Sequence, residues 1–377
     1  MYLLVILIVL LITIAALYEF SIPTLQVPGV TTKENKIRQL DKWLSSLYSQ
    51  GKFQGVVLLA TDGEVIFSKG YGFADYQEKE QLTQHSSFNL ASVSKQFTAA
   101  GIILLKQQGK LSYSDQMKKL IPELSFYNDV TIRHLLNHTS GIPDYLSLAN
   151  NYIPENETVT TEKLIKVYSE ITPGFKFKPG DKFQYSNINY VLLAEIIERI
   201  TGKSYADYLR KNIFQSLGMN HTKVFNLLSK DEPSNRVYGF KRKYLLFGKK
   251  QLSDLNRFDG VAGDGGIYSS AHDLFVWHQA LLSSAFIPIE AISESFRPGI
   301  LNNGGKTGYG FGWFTNNDGT VEHAGGWQGF ASYLYRHPVD GKLMVILDNT
   351  ANILRVTSNG VRYNSIPLNL QKFLERY

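Results

Sequence analysis

The sequence predicts an α/β protein with a mainly antiparallel sheet, flanked by helices and interrupted by a mostly helical insertion. Three observations carry this. β-type apolar runs lie near both ends of the chain, at 55–68 and 331–347, and helical spacing dominates between them. Each β region holds two runs joined across an Asp-Gly dipeptide, Asp62-Gly63 and Asp340-Gly341. That dipeptide between apolar runs signals a hairpin, and so antiparallel neighbours. The chain has 377 residues, 44% hydrophobic and 19% charged, enough for a large core.

From the N-terminus, residues 1–18 are apolar except for Thr13, and Glu19 ends the run. Such a run at the lower length limit for spanning a bilayer predicts a membrane anchor or signal peptide over 1–20. No basic residue precedes it, and bulky Leu17, Tyr18 and Phe20 follow Ala15 and Ala16, which favours an uncleaved anchor. The remainder is expected outside the cytoplasm, on the periplasmic or cell-surface side. Residues 21–32, with Pro23, Pro28 and Gly29, read as a linker.

Residues 33–377 then form one domain, with an α/β part over 33–90 and 290–377 and a helical part over 91–289. Helical spacing marks 33–50, with Ile37, Leu40, Trp43, Leu44 and Leu47 on one face. The β-type runs 55–60 and 65–68 follow. A helix is expected from about Ser92 to Gln108, stopped by Gly109. Amphipathic helices are expected over 191–200 and 271–282. β-type runs return at 331–336 and 343–347, and the chain closes on a helix.

Composition narrows the function. No cysteine is present, so there is no disulfide, thiolate metal site or cysteine nucleophile. The net charge of +6 is mild. The densest basic stretch, Lys241, Arg242, Lys243, Lys249 and Lys250, belongs to no nucleic-acid motif and reads as a solvated loop. No metal or organic cofactor is implied.

Three short motifs carry chemistry. Ser92-Val93-Ser94-Lys95 places a hydroxyl and an amine three residues apart at an expected helix start, so both share one face. Free serine is a weak nucleophile and needs a neighbouring base, and burial would lower the Lys95 pKa towards that task. A helix N-terminus also favours an oxyanion. Tyr185-Ser186-Asn187 places a phenol and an amide two residues apart, pointing the same way on an extended segment. Tyrosine can relay protons, and Asn187 can hold a substrate amide or the Lys95 head group. His323-Ala324-Gly325-Gly326 precedes the run at 331 and offers close backbone approach and N–H donors.

In this order and spacing the motifs resemble the serine β-lactamase and penicillin-binding-protein superfamily, in the class C-related branch with esterases, D-aminopeptidases and D-amidases. The resemblance covers about residues 33–350. It extends to Gly70–Asp75, Phe88–Thr98, Ile132–Asp144, Tyr185–Gly202, Gly260–Asp273 and Tyr309–Trp313. It implies a β-lactamase/transpeptidase-like fold and an acyl-enzyme on Ser92. Lys95 and Tyr185 would share acid/base work, and the backbone N–H groups of Ser92 and Gly326 would form the oxyanion hole. Asn187, His323 and Gly325 would bind substrate. His323 would replace the family's usual lysine, which argues against β-lactamase activity, because a cation there normally meets the lactam carboxylate.

The expected activity is therefore hydrolysis of a small ester, amide or peptide by an esterase or D-peptidase. The alternatives are a penicillin-binding DD-carboxypeptidase or weak class C-like β-lactamase, and a non-catalytic binding or filament-forming member. Oligomeric state is left open. Two features are set aside. Lys306-Thr307-Gly308 has the literal Lys-Thr-Gly text but no long β run after it. His134 and His138 have zinc spacing, but Leu135 stands where a zinc peptidase needs glutamate.

Overall fold

The computed structural model describes residues 21–26, 31–75, 77, 79–242, 250–357, 360–363 and 365–377. The expected anchor at 1–18 lies outside these residues. Among the described residues, no helix is long and apolar enough to cross a membrane.

A six-stranded sheet is built from β1 (Gly55–Thr61), β2 (Glu64–Tyr71), β3 (Phe314–Thr315), β4 (Val321–Trp327), β5 (Phe330–His337) and β6 (Lys342–Asp348). Its order is β2-β1-β6-β5-β4-β3, and every neighbouring pair is antiparallel. The two ends of the chain meet at β1 and β6, where Val56 pairs with Leu347 and Leu58 with Val345. The β1–β2 hairpin turns at Asp62 and Gly63, both at positive φ (53° and 79°), as a two-residue hairpin of the primed type requires.

Period-two alternation divides the core. Val56, Leu58 and Val345 face a helical layer containing α2 (Lys95–Gln107), α3 (Ile188–Thr201) and α4 (Ala271–Ala280). Val57, Leu59 and Ile346 face the opposite layer, made by α1 (Lys33–Ser49) and α5 (Ile366–Arg376). Full burial of one large side chain such as Phe97 or Leu44 is worth about 1.5–3 kcal/mol, and both layers hold many. α1 starts at Thr32, whose hydroxyl accepts from the Asn35 amide.

Several expectations shift. The region read as a linker is clasped where it is described: Trp43 donates to the Pro23 carbonyl (2.9 Å), Lys52 to Ser21 (2.7 Å), and the Leu25 amide to Asn369 (2.8 Å). The helix expected from Ser92 starts as a 3-10 turn over Ala91–Ser94, and its α-helical part begins at Lys95. His323–Gly326 precedes the strand at 331, as expected, and itself belongs to strand β4, which was not expected. Lys241 and Arg242 pair antiparallel with Gln251 and Lys250, where a solvated loop was expected; Lys243 and Lys249 lie outside the described residues.

Candidate active site

Ser92 sits at the exposed side of the turn that opens α2. Ala91 before it adopts φ +46°, a conformation that L side chains avoid and that costs on the order of 1–3 kcal/mol. Two contacts hold the turn. The Asn89 side chain accepts from the Ala91 amide (2.8 Å), and Ser332 on β5 donates to the Leu90 carbonyl (2.6 Å). Gly325 on β4 lies directly behind it. A Cβ there would stand 2.1 Å from the Leu90 carbonyl oxygen and 2.4 Å from Ser332 Oγ. Gly312, in the Tyr-Gly-Phe-Gly-Trp segment, supports α2 from another side, where a Cβ would stand 2.7 Å from the Gln96 backbone. Gly325 was expected to bind substrate. Its buried contact is instead with the turn carrying Ser92, and the exposed residue beside the cavity is Gly326.

Lys95 is fully buried. Its Nζ lies 3.1 Å from Ser92 Oγ, 2.9 Å from Asn187 Oδ1 and 2.7 Å from the Asp264 carbonyl oxygen. Burial pulls its pKa down to about 8, against the opposing pull of the Asp264 and Asp144 carboxylates. The geometry fixes how the neutral amine is oriented. Asn187 Oδ1 and the Asp264 carbonyl can only accept, so each must take an N–H. A neutral amine has two N–H bonds and one lone pair, and the third direction points at Ser92 Oγ. Deprotonated Lys95 therefore presents its lone pair to the Ser92 hydroxyl.

Tyr185 also approaches the Ser92 hydroxyl, and the Lys95 ammonium lies 5.0 Å from its ring centre. Burial holds the phenol well above its usual pKa, so it is a neutral hydroxyl that can pass a proton rather than a tyrosinate. The His138 ring packs 4.3 Å from the Tyr185 ring, and its Nδ1 accepts from the Ser186 amide (3.3 Å). Asn187 holds the Lys95 head group, and its own amide donates to Asp144.

His323 departs from expectation. It is 2% exposed and does not line the cavity beside Ser92. Its Nδ1 lies 2.7 Å from the Ala324 carbonyl, which only accepts, so Nδ1 carries the proton and Nε2 accepts from Tyr309 (3.0 Å). Burial and the nearby Lys95 charge hold its pKa down to about 3. The ring is a neutral support behind Tyr185, with no free nitrogen for a substrate carboxylate.

A cavity of about 150 Å³ opens beside Ser92. It is lined by Asn187 and Gly326 and also by Asn89, Tyr145, Asp259, Asp264 and Trp327, residues to which sequence reasoning gave no role. Their sequence signals are that Asn89 falls within the segment Phe88–Thr98 and Asp264 within Gly260–Asp273, both part of the resemblance. Lys306 is exposed and away from this cavity. The Lys306→Ala variant should keep its steady-state rate within about twofold of the parent, as surface changes do; abolished turnover would make it part of the site. His134 and His138 do not share a helix. The helix spans Ile132–Leu136, and His134 closes a capping box with Thr131.

Residues 34–357 match the Beta-lactamase family, and the chain belongs to this family of serine hydrolases. Penicillin-binding protein 4* of Bacillus subtilis (strain 168) is 38% identical over 331 residues, covering 84% of this chain and 72% of that protein. The octameric penicillin-binding protein homologue from Pyrococcus abyssi superposes with a TM-score of 0.72 at 27% identity, covering 84% of this chain and 74% of that one. FmtA from Staphylococcus aureus shares the fold, with a TM-score of 0.74 at 20% identity over 94% of this chain and 91% of that one.

Proposed function

We propose that the protein is an exported acyl hydrolase of small esters, amides or peptides, working through an acyl-enzyme on Ser92. The observation that carries this is the buried Lys95 amine, 3.1 Å from Ser92 Oγ and oriented by two fixed acceptors. Lys95 takes the Ser92 proton as the hydroxyl attacks the substrate carbonyl. The backbone N–H groups of Ser92 and Gly326 receive the oxyanion; Tyr185 passes its proton to the leaving group and regains one from the deacylating water, and the Lys95 ammonium returns its proton to Ser92 Oγ as the acyl bond breaks. Asn187 serves this chemistry by fixing Lys95 and bordering the cavity. The apolar run at 1–18 supports attachment to the membrane on the outer side.

A penicillin-binding role is the second reading, favoured by the 38% identity to Penicillin-binding protein 4*. The neutral, enclosed His323 speaks against efficient β-lactam turnover.

The deciding experiment is hydrolysis of an activated short-chain ester by the full chain and by its Ser92→Ala variant, with intact mass recorded after benzylpenicillin treatment. The acyl hydrolase reading expects ester turnover that disappears in the variant. Equal background rates with a lasting penicillin adduct on Ser92 would shift the assignment to a penicillin-binding protein. Equal background rates with no adduct would leave a non-catalytic member of the family.

A further inference from the structure

We infer that the cavity beside Ser92 selects acyl groups that carry an ammonium, such as the free amino group of an aminoacyl ester or amide, with Asp259 as its specificity-determining residue. This rests on the acyl hydrolase reading and adds a substrate class to it.

The cavity wall is chemically one-sided. Among its described lining residues are two carboxylates, Asp259 and Asp264, and no lysine, arginine or histidine. The nearest cation, Lys95, already spends its hydrogen bonds on Asn187 Oδ1, the Asp264 carbonyl and Ser92 Oγ. His323 is enclosed, with both ring nitrogens engaged. A substrate carboxylate would meet no available counter-charge here, whereas an ammonium would meet the Asp259 carboxylate.

Asp259 is the better placed of the two carboxylates. Asp264 already faces the Lys95 charge and accepts from the Tyr145 hydroxyl (3.1 Å). Asp259 is 9% exposed, and no described cation pairs with it. Its Oδ1 accepts from the Trp327 indole (2.7 Å) and its Oδ2 from the Asn256 amide (2.6 Å). Each carboxylate oxygen has a second lone pair, so each can still accept from a ligand. Burial and the neighbouring Asp254 and Asp264 charges raise its pKa to about 6, a cost that a bound cation would relieve.

The aromatic wall points the same way. Phe258, Trp327 and Tyr145 border the cavity, and Trp327 follows Gly326 directly. Aromatic faces attract ammonium groups when water is excluded. A carboxylate set among rings suits a cationic amine and disfavours an anionic acyl group.

The test compares methyl esters of D- and L-alanine with their N-acetyl and N-succinyl derivatives, using the full chain, its Ser92→Ala variant and its Asp259→Asn variant. Asparagine keeps the oxygen that accepts from Trp327 but removes the charge. For at least one enantiomer, kcat/KM should favour the free amine over the acetylated ester by about tenfold or more, with the succinylated ester poorest. In Asp259→Asn that ratio should fall to within about threefold. If Asp259 only positioned Trp327, rates on free and acetylated esters would drop together and the ratio would persist, which overturns the inference. Equal wild-type rates on all three esters overturn it as well, while Ser92-dependent turnover of them leaves the hydrolase reading standing. Should no ester be turned over, that reading fails, and calorimetry with the Ser92→Ala protein decides the inference separately. Binding of D- or L-alaninamide but not of its N-acetyl form supports it, and no difference rejects it. The wild-type preference and this binding comparison also serve if Asp259→Asn does not fold.

Discussion

Lys95→Ala is expected to lower kcat by about 10²–10⁴-fold, the range that a positioned acid/base contributes. The variant loses the lone pair aimed at Ser92 Oγ, and Asn187 Oδ1 and the Asp264 carbonyl lose the donor they share. The same group sets the pH profile of the parent enzyme. Below a pKa of about 8 Lys95 is an ammonium and cannot accept the serine proton; above it the amine is free. At pH 7 about one molecule in ten carries the active form. The acylation-limited kcat/KM should therefore rise with pH and level off above about 8. A loss of only a few-fold in Lys95→Ala, or a flat profile between pH 6 and 9, would remove Lys95 from the role of base.

Gly325→Ala is the second large effect. It adds one methyl group, yet that carbon would sit 2.1 Å from the Leu90 carbonyl oxygen, a backbone atom held by the Ser332 hydroxyl. No rotamer change relieves such a clash. Either β4 or the turn carrying Ser92 must move. Overpacking of this kind costs about 1–3 kcal/mol, and contact with backbone places this site at the upper end. The urea midpoint should fall, and activity should fall further than stability does, because the displaced turn carries the nucleophile. A variant with parental midpoint and parental rate would show that β4 does not brace the turn.

The parts of the site legible in the sequence were those encoded by local spacing. Ser92 and Lys95 meet because they lie three residues apart on one turn, and the phenol and amide of Tyr185 and Asn187 converge on that same pair. The parts that were not legible depend on distant partners. Asp144 and Asp264 fall within resembled segments, yet nothing near them or Asp259 places their carboxylates beside residue 92, because they arrive on separate segments. The turn at Ala91 hid for a similar reason. Alanine gives no sign of positive φ, which is imposed by Asn89, Ser332 and the close pass of Gly325. Strand β4 was obscured by its own composition: two glycines weaken the β signal, and pairing with β5 supplies what propensity lacks. His323 was placed correctly in the chain but on the wrong side of its neighbours. Its ring points into the protein, towards Tyr309, and the backbone of Gly326 borders the cavity.

The clasp on residues 21–25 has a consequence for how the molecule is presented to its surroundings. Trp43, Lys52 and Asn369 hold that segment against the layer of α1 and α5, while the Ser92 cavity lies on the other side of the sheet. Whatever precedes Ser21 thus joins the body at its back. If that attachment is a lipid-embedded helix, the enzyme stands with its working face turned from the bilayer, towards soluble or wall-bound material. For the experimenter, the same arrangement makes Ser21 a rear handle: a tag or a solid support joined directly there leaves the entrance clear.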